Sequence, residues 1–187
     1  VPVERKARAH LGGEVRTPNI DALAQGGTRF TSFHAAPTCE ASRMMLHSGV
    51  DNHLAGGGTL MPLIADNQRG KPGYEGYLND NVYSLGQLMQ DAGYATYFAG
   101  KWNAGSGLAR SPGARGWSRY LGLEQTGADN YEARVWAPFN AEAVWWQDGQ
   151  RYYPPRDFYS SRTYVDTLIR YIDEGRIQSE PPKPFMA

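Results

Sequence analysis

Gly93-Tyr94-Ala95-Thr96-Tyr97-Phe98-Ala99-Gly100-Lys101-Trp102-Asn103 is the stretch that decides the fold. Gly93 closes the segment before it, and Tyr94 to Ala99 is a run of β-formers that reads as a strand, with Gly100-Lys101-Trp102-Asn103 where that strand would finish. Upstream, Ser84 can cap a helix that carries Leu85, Leu88 and Met89 on one face and stops at Gly93. A helix feeding a strand in this way argues for a layered α/β domain, in which ligands collect beyond the carboxyl ends of the strands. Lys101 sits in such a place.

Working outward, Thr17-Pro18-Asn19-Ile20-Asp21 to Gly27 reads as a short helix with Thr17 as its cap and Pro18 in the first turn. Thr28 to Phe33 reads as a strand after it. Ala41 to Ser48 forms a second helix that Gly49 terminates, which puts Cys39 at or near a helix N-terminus. Asp51 to Gly76 is rich in Gly, Asn and Pro and reads as irregular chain. Gly105 to Tyr159 is mostly loop, with aromatic pairs at Trp145-Trp146 and Tyr152-Tyr153 that suit packing. The last helix starts near Ser160 or Ser161, carries Val165, Leu168, Ile169 and Ile172 at helical spacing, and ends at Gly175. A stiff Pro181-Pro182, Pro184 connection then leads into Phe185.

Composition narrows the function classes. Nineteen basic residues balance nineteen acidic ones in 187 residues, so no net field recruits nucleic acid or an anionic membrane surface. An anion must be captured locally. The single cysteine excludes an internal disulfide framework, and the 12 tyrosines and 5 tryptophans suit a loop-rich folded domain. No run is as long as a membrane span, and Val1 to Ala9 is charged, so the chain reads as soluble, in the cytoplasm or periplasm. It begins with Val and ends as an apolar segment opens, and both ends read as cut.

The chemistry concentrates in Pro37-Thr38-Cys39-Glu40-Ala41-Ser42-Arg43. A sulfur nucleophile and a guanidinium stand four residues apart at the opening of a helix, where free N–H groups stabilise anions and lower a thiol pKa. The planar Arg43 supplies paired donors suited to sulfate or phosphate oxygens. His34, His47 and His53 stand alone in the sequence and read as structural or surface residues.

These residues resemble the sulfatases of the alkaline phosphatase superfamily, whose hallmark is Cys-x-Pro-x-Arg. Gly12-Gly13-Glu14-Val15-Arg16-Thr17-Pro18-Asn19-Ile20-Asp21-Ala22-Leu23 is similar to an early family segment. Phe30 to His34 and Gly70-Lys71-Pro72-Gly73-Tyr74-Glu75-Gly76 resemble the arylsulfatase branch. The opening stretch resembles the second signature, Gly-Tyr-x-Thr-x-x-x-Gly-Lys-Trp-His. Ala114 to Trp117 and Lys183-Pro184-Phe185 fit later landmarks. The resemblance implies an α/β/α sandwich of the alkaline phosphatase-like type, incomplete at both ends. It divides the chain into a divergent start (1–9), a motif-bearing core (10–104), a loop-rich insertion (105–159) and a helix with the start of the next strand (160–187).

The resemblance further implies a sulfuric ester hydrolase that cleaves sulfate monoesters with calcium and a formylglycine made from cysteine. Cys39 would be the formylglycine precursor and a metal ligand, Arg43 would support it and the sulfate, Lys101 would contact the sulfate, and Asn103 takes the signature's histidine position. The partners implied are a sulfate ester and a formylglycine-generating enzyme, with neither nucleic acid nor membrane.

Four departures qualify that picture. Val1 to Leu11 lacks the family's Asp-Asp pair, so weak calcium binding is expected. Ala41 replaces the proline of the recognition motif, so Cys39 is expected to stay largely a thiol. Asn103 cannot titrate as histidine does. The chain also stops before the later metal ligands and distal lysine. Two other readings stand beside the hydrolase: a catalytically inactive remnant that binds anions through Arg43 and Lys101, and a phosphonate or phosphate monoester hydrolase of the same superfamily.

Overall fold

The computed structural model describes residues 16–178 and 180–187. The Gly12 to Val15 part of the early segment, and the Val1 to Leu11 stretch without its carboxylate pair, lie outside the described residues. The chain divides into two compact units, 1–35 and 36–187.

The first unit holds helix α1 (Pro18–Gly26), with proline in its first turn as expected. Thr17 does not cap it by accepting an N–H. Its hydroxyl instead donates to Asp21 Oδ1 at 3.0 Å, while the Asp21 N–H reaches the Thr17 carbonyl at 2.8 Å. The strand expected over Thr28 to Phe33 does not form. Phe30 and Phe33 are both exposed, and a spacing of three would send them to opposite faces of a strand, so no single apolar face rewards extension.

The second unit is built on a five-stranded mixed sheet in the order β4-β3-β2-β1-β5. Its strands are β1 (Ala95–Lys101), β2 (Arg119–Leu123), β3 (Trp145–Gln147), β4 (Gln150–Tyr152) and β5 (Phe185–Met186). β1 lies next to β2 and β5 and runs parallel to both, with Lys101 opposite Leu123 and Ala95 opposite Phe185. β3 pairs antiparallel with β2 and with β4. The segment from Gly105 to Tyr159 is thus mostly irregular but supplies three strands. Asp148 and Gly149, with φ of 46° and 87°, make the tight turn between β3 and β4, the left-handed pair that a two-residue hairpin needs.

Among the described residues the α-helices of the unit are α2 (Cys39–Ser48), α3 (Leu85–Asp91) and α4 (Ser160–Gln178). Thr38 caps α2 by accepting from the Ala41 N–H, and Gly49 closes it in the left-handed conformation at φ 71°. Ser84 and Gln87 form a reciprocal capping box on α3. Adjacent side chains of β1 point to opposite faces of the sheet. Tyr97 packs near Tyr171 of α4, whereas Phe98 meets His47 of α2, so the sheet carries helices on both faces. This is the α/β/α layering expected.

Two helical faces differ from the expectation. On α3, Leu88 is exposed and Gly86 is buried, because the helix leans on the Arg115–Trp117 turn at a distance that admits no side chain: a β-carbon at Gly86 would lie 2.5 Å from the Arg115 carbonyl oxygen. On α4, Val165 and Ile169 face outward while Thr167 and Tyr171 are buried. Gly175 lies inside α4 rather than ending it, and its missing side chain makes room for the Tyr97 hydroxyl. The Tyr171 hydroxyl bridges the Tyr120 carbonyl and Asp148 of the sheet, which a Val or Ile at that place could not do.

Candidate active site

The site forms where the N-terminus of α2 meets the carboxyl end of β1. Cys39, Arg43 and His47 recur every four residues and share one stripe of α2. They meet β1 and the chain just after it at different levels. The Cys39 thiol donates to Asn103 Oδ1 at 3.1 Å, the Arg43 guanidinium donates to the Lys101 carbonyl, and His47 packs among Phe98, Trp102 and Trp117. The Lys101 ammonium donates to the Thr126 hydroxyl at 2.8 Å. All four residues expected at the site, Cys39, Arg43, Lys101 and Asn103, are therefore drawn together.

The backbone explains how. Past the end of β1 the chain stays tied to the β2 segment, with the Trp102 N–H on the Leu123 carbonyl and the Asn103 N–H on the Glu124 carbonyl. At Asn103 the chain takes φ 48°, a left-handed conformation that asparagine tolerates better than most residues, and the side chain turns back toward α2. Trp102 is fully buried beneath, which fixes the level of its neighbours.

The electrostatics follow from burial and from Lys101. Burial pushes the Cys39 thiol up, but the Lys101 side chain, through a hydrogen bond and its charge, with help from Thr126 and the Glu40 N–H, leaves it below its ordinary value. Glu40 is only 2% exposed. Burial lifts its carboxyl to about 7, against the Met61 N–H and the Lys101 charge, which both pull it down. Its Oε2 accepts from Met61 at 3.1 Å, while its Oε1 is buried without a partner. His47 is pushed down to about 4 by burial and then by the Arg43 charge, and neither of its ring nitrogens has a partner.

His47 is thus a neutral member of an aromatic core, His53 is exposed beside Asp51, and His34 is exposed beside Ser32. Their placement suits structural and surface roles. Thr126 and Glu40 are site residues that sequence reasoning does not reach. Thr126 carries no signal, since it lies in loop. Glu40 carries one, a carboxyl in the first turn of the helix that Cys39 opens.

Among the described residues no group of three His, Cys, Asp or Glu could hold a metal ion. Calcium needs six or more oxygen ligands, and the ammonium of Lys101 beside Cys39 repels a cation. The described residues do not fit a calcium site. Asp80 is held by Arg110 and Arg115, at 2.8 and 3.4 Å, and not by the site. No described helix is long and apolar enough to cross a membrane.

The sulfatase family model matches residues 5–187, and the chain belongs to that family. An uncharacterized sulfatase of Schizosaccharomyces pombe is 44% identical over 124 residues, which cover 65% of this chain and 22% of that protein. The arylsulfatase of Klebsiella aerogenes is 33% identical over 166 residues, 87% of this chain and 35% of that one. The chain thus spans about a fifth to a third of the length of these relatives. The PsFucS1 sulfatase from Pseudoalteromonas sp. superposes with a TM-score of 0.62 at 22% identity, over 90% of this chain and 36% of that structure. A structure solved with its substrate D-glucosamine-2-N,6-O-disulfate superposes with a TM-score of 0.66 at 23% identity, over 97% of this chain and 30% of the other. The fold is that of the alkaline phosphatase-like sulfatases, and formylglycine and a metal are general features of that family.

Proposed function

We propose that this chain supplies the sulfate-holding and nucleophile-bearing part of a sulfuric ester hydrolase. The observation that carries the reading is the convergence of Cys39, Asn103, Arg43 and Lys101 from segments about sixty residues apart. Lys101 and Arg43 offset the negative charge that spreads over the sulfate oxygens as the ester bond breaks. The dipole of α2 adds the positive end of its N-terminus to the same field. Cys39 occupies the nucleophile's position, and Asn103 orients it by accepting its hydrogen. Arg43, anchored on the Lys101 carbonyl, also positions the strand end that presents the ammonium.

Cys39 itself is largely unconverted thiol in this reading. The recognition motif's proline is Ala41 here, and its N–H closes the Thr38 cap, a bond that a proline could not make. With Cys39 an unconverted thiol the activated nucleophile is missing, and in this reading the 187-residue chain turns over an aryl sulfate near background. Titration of the 187-residue chain with inorganic sulfate tests the reading. Arg43→Ala and Lys101→Ala should each weaken binding by about tenfold to a hundredfold, the range for a charged hydrogen bond. Binding that ignores both substitutions would defeat it.

A further inference from the structure

A cavity of about 530 Å³ opens beside the candidate site with wall chemistry opposite to that of the anion-holding residues. It is continuous with the site through three residues. Asn103 accepts from Cys39, Thr126 accepts from Lys101, and Glu40 follows Cys39 in the chain. The wall also carries Glu124 and Glu142, and an apolar side formed by Leu60, Met61 and Phe139. Among the described lining residues none is Lys or Arg.

The carboxylates differ in how they are held. Glu124 Oε2 accepts from the Gly107 N–H at 2.8 Å and from Trp146 Nε1 at 2.7 Å, two neutral donors that fix the group without cancelling its charge. Glu142 is offset by Arg151 at 2.9 Å but remains exposed on the rim. Glu40 lines the cavity and is almost wholly buried, and its Oε1 accepts no hydrogen bond. A buried acceptor without a partner needs a donor, and a ligand in the cavity can bring one.

We propose that this cavity is the leaving-group subsite and that it selects sulfate esters of an alcohol with a ring-sized apolar body and a protonated amine. Glu124 and Glu142 attract the amine, Leu60, Met61 and Phe139 cover the ring, and Glu40 accepts a hydrogen from the same group. The ester then spans a field that is positive at Lys101 and Arg43 and negative within the cavity, so a polyanionic leaving group is disfavoured. The proposal rests on the sulfate-ester reading above.

The test titrates the 187-residue chain with inorganic sulfate and with three aryl sulfates that differ only in the para substituent: 2-aminoethyl, ethyl and 2-carboxyethyl. The aminoethyl ester should bind on the order of tenfold more tightly than the ethyl ester, and the carboxyethyl ester most weakly. Glu142→Gln should narrow that order and Glu124→Gln with Glu142→Gln should remove it, with the affinity for inorganic sulfate unchanged. In Glu124→Gln the side-chain amide oxygen can still accept from Gly107 and Trp146, and the sulfate affinity reports whether the double variant is folded; if it is not, the ranking in the unaltered chain and in Glu142→Gln decides. Sulfate binding with three equal esters, or a ranking that survives in the folded double variant, would overturn the subsite alone. Failure of sulfate and of all three esters to bind would remove the sulfate-ester reading and the subsite with it.

Discussion

The Cys39 thiol donates to Asn103 Oδ1 at 3.1 Å, and the Lys101 ammonium stands close enough to hydrogen-bond the same sulfur once it is ionised. The two contacts act on different forms of the group. Asn103 accepts from the thiol, while Lys101 favours the thiolate, and the net effect is a lowered thiol pKa in spite of burial.

Lys101→Met should therefore raise the Cys39 pKa above that of the unaltered chain, because burial then acts without the cation. The rate of alkylation by iodoacetamide, followed from about pH 6 to 10 around the ordinary thiol value, should show its inflection move to higher pH. An unmoved inflection would assign the low pKa to the helix N-terminus instead.

Glu40 should make the chain less stable as pH rises. Its folded value of about 7 exceeds the ordinary 4.5, so between these values the folded state holds a proton that the unfolded state has released. Stability falls with pH across that window, by on the order of 3 kcal/mol in all. Glu40→Gln should raise the urea midpoint at about pH 8 and change it little at about pH 4.5. An equal effect at both pH values would contradict the argument.

His47 acts with the opposite sign. Its folded value of about 4 lies below the ordinary 6.5, so on acidification the unfolded chain binds a proton before the folded one does. Stability is full above pH 6.5 and is lost as pH falls toward about 4, again by on the order of 3 kcal/mol. His47→Phe should flatten that acid limb in urea titrations at about pH 5 and 7.5. Neither ring nitrogen has a partner to lose, so the cost at the higher pH should be below about 1.5 kcal/mol.

Gly175 should not tolerate alanine, although alanine is the better helix former. A β-carbon there would lie 1.9 Å from the Tyr97 hydroxyl oxygen. Gly175→Ala should destabilise by about 1–3 kcal/mol, the usual range for overpacking. Adding Tyr97→Phe, which removes that oxygen, should recover much of the loss in thermal denaturation. A double variant no more stable than Gly175→Ala would place the fault elsewhere.

What the sequence determined by itself was local. Ser84 as a cap, Gly49 as a helix terminus, the strand over Tyr94 to Ala99 with Lys101 just beyond it and the Cys39-to-Arg43 spacing all depend on residues within a turn or two, so they are legible without a fold. The Asp148-Gly149 turn is a weaker signal of the same kind, because its flanking strands are only three residues long and show no periodicity of their own. Tertiary structure alone decided the rest. Asn103 reaches Cys39 across 64 positions only because β1 lies parallel to β2 and turns at φ 48° under α2. The burial of Tyr171 in place of Ile169 depends on the hydrogen bond that the Tyr120 carbonyl of the sheet offers its hydroxyl. The shifts at Cys39, Glu40 and His47 depend on depth and on charges from other segments, and neither quantity is a property of neighbours in the chain.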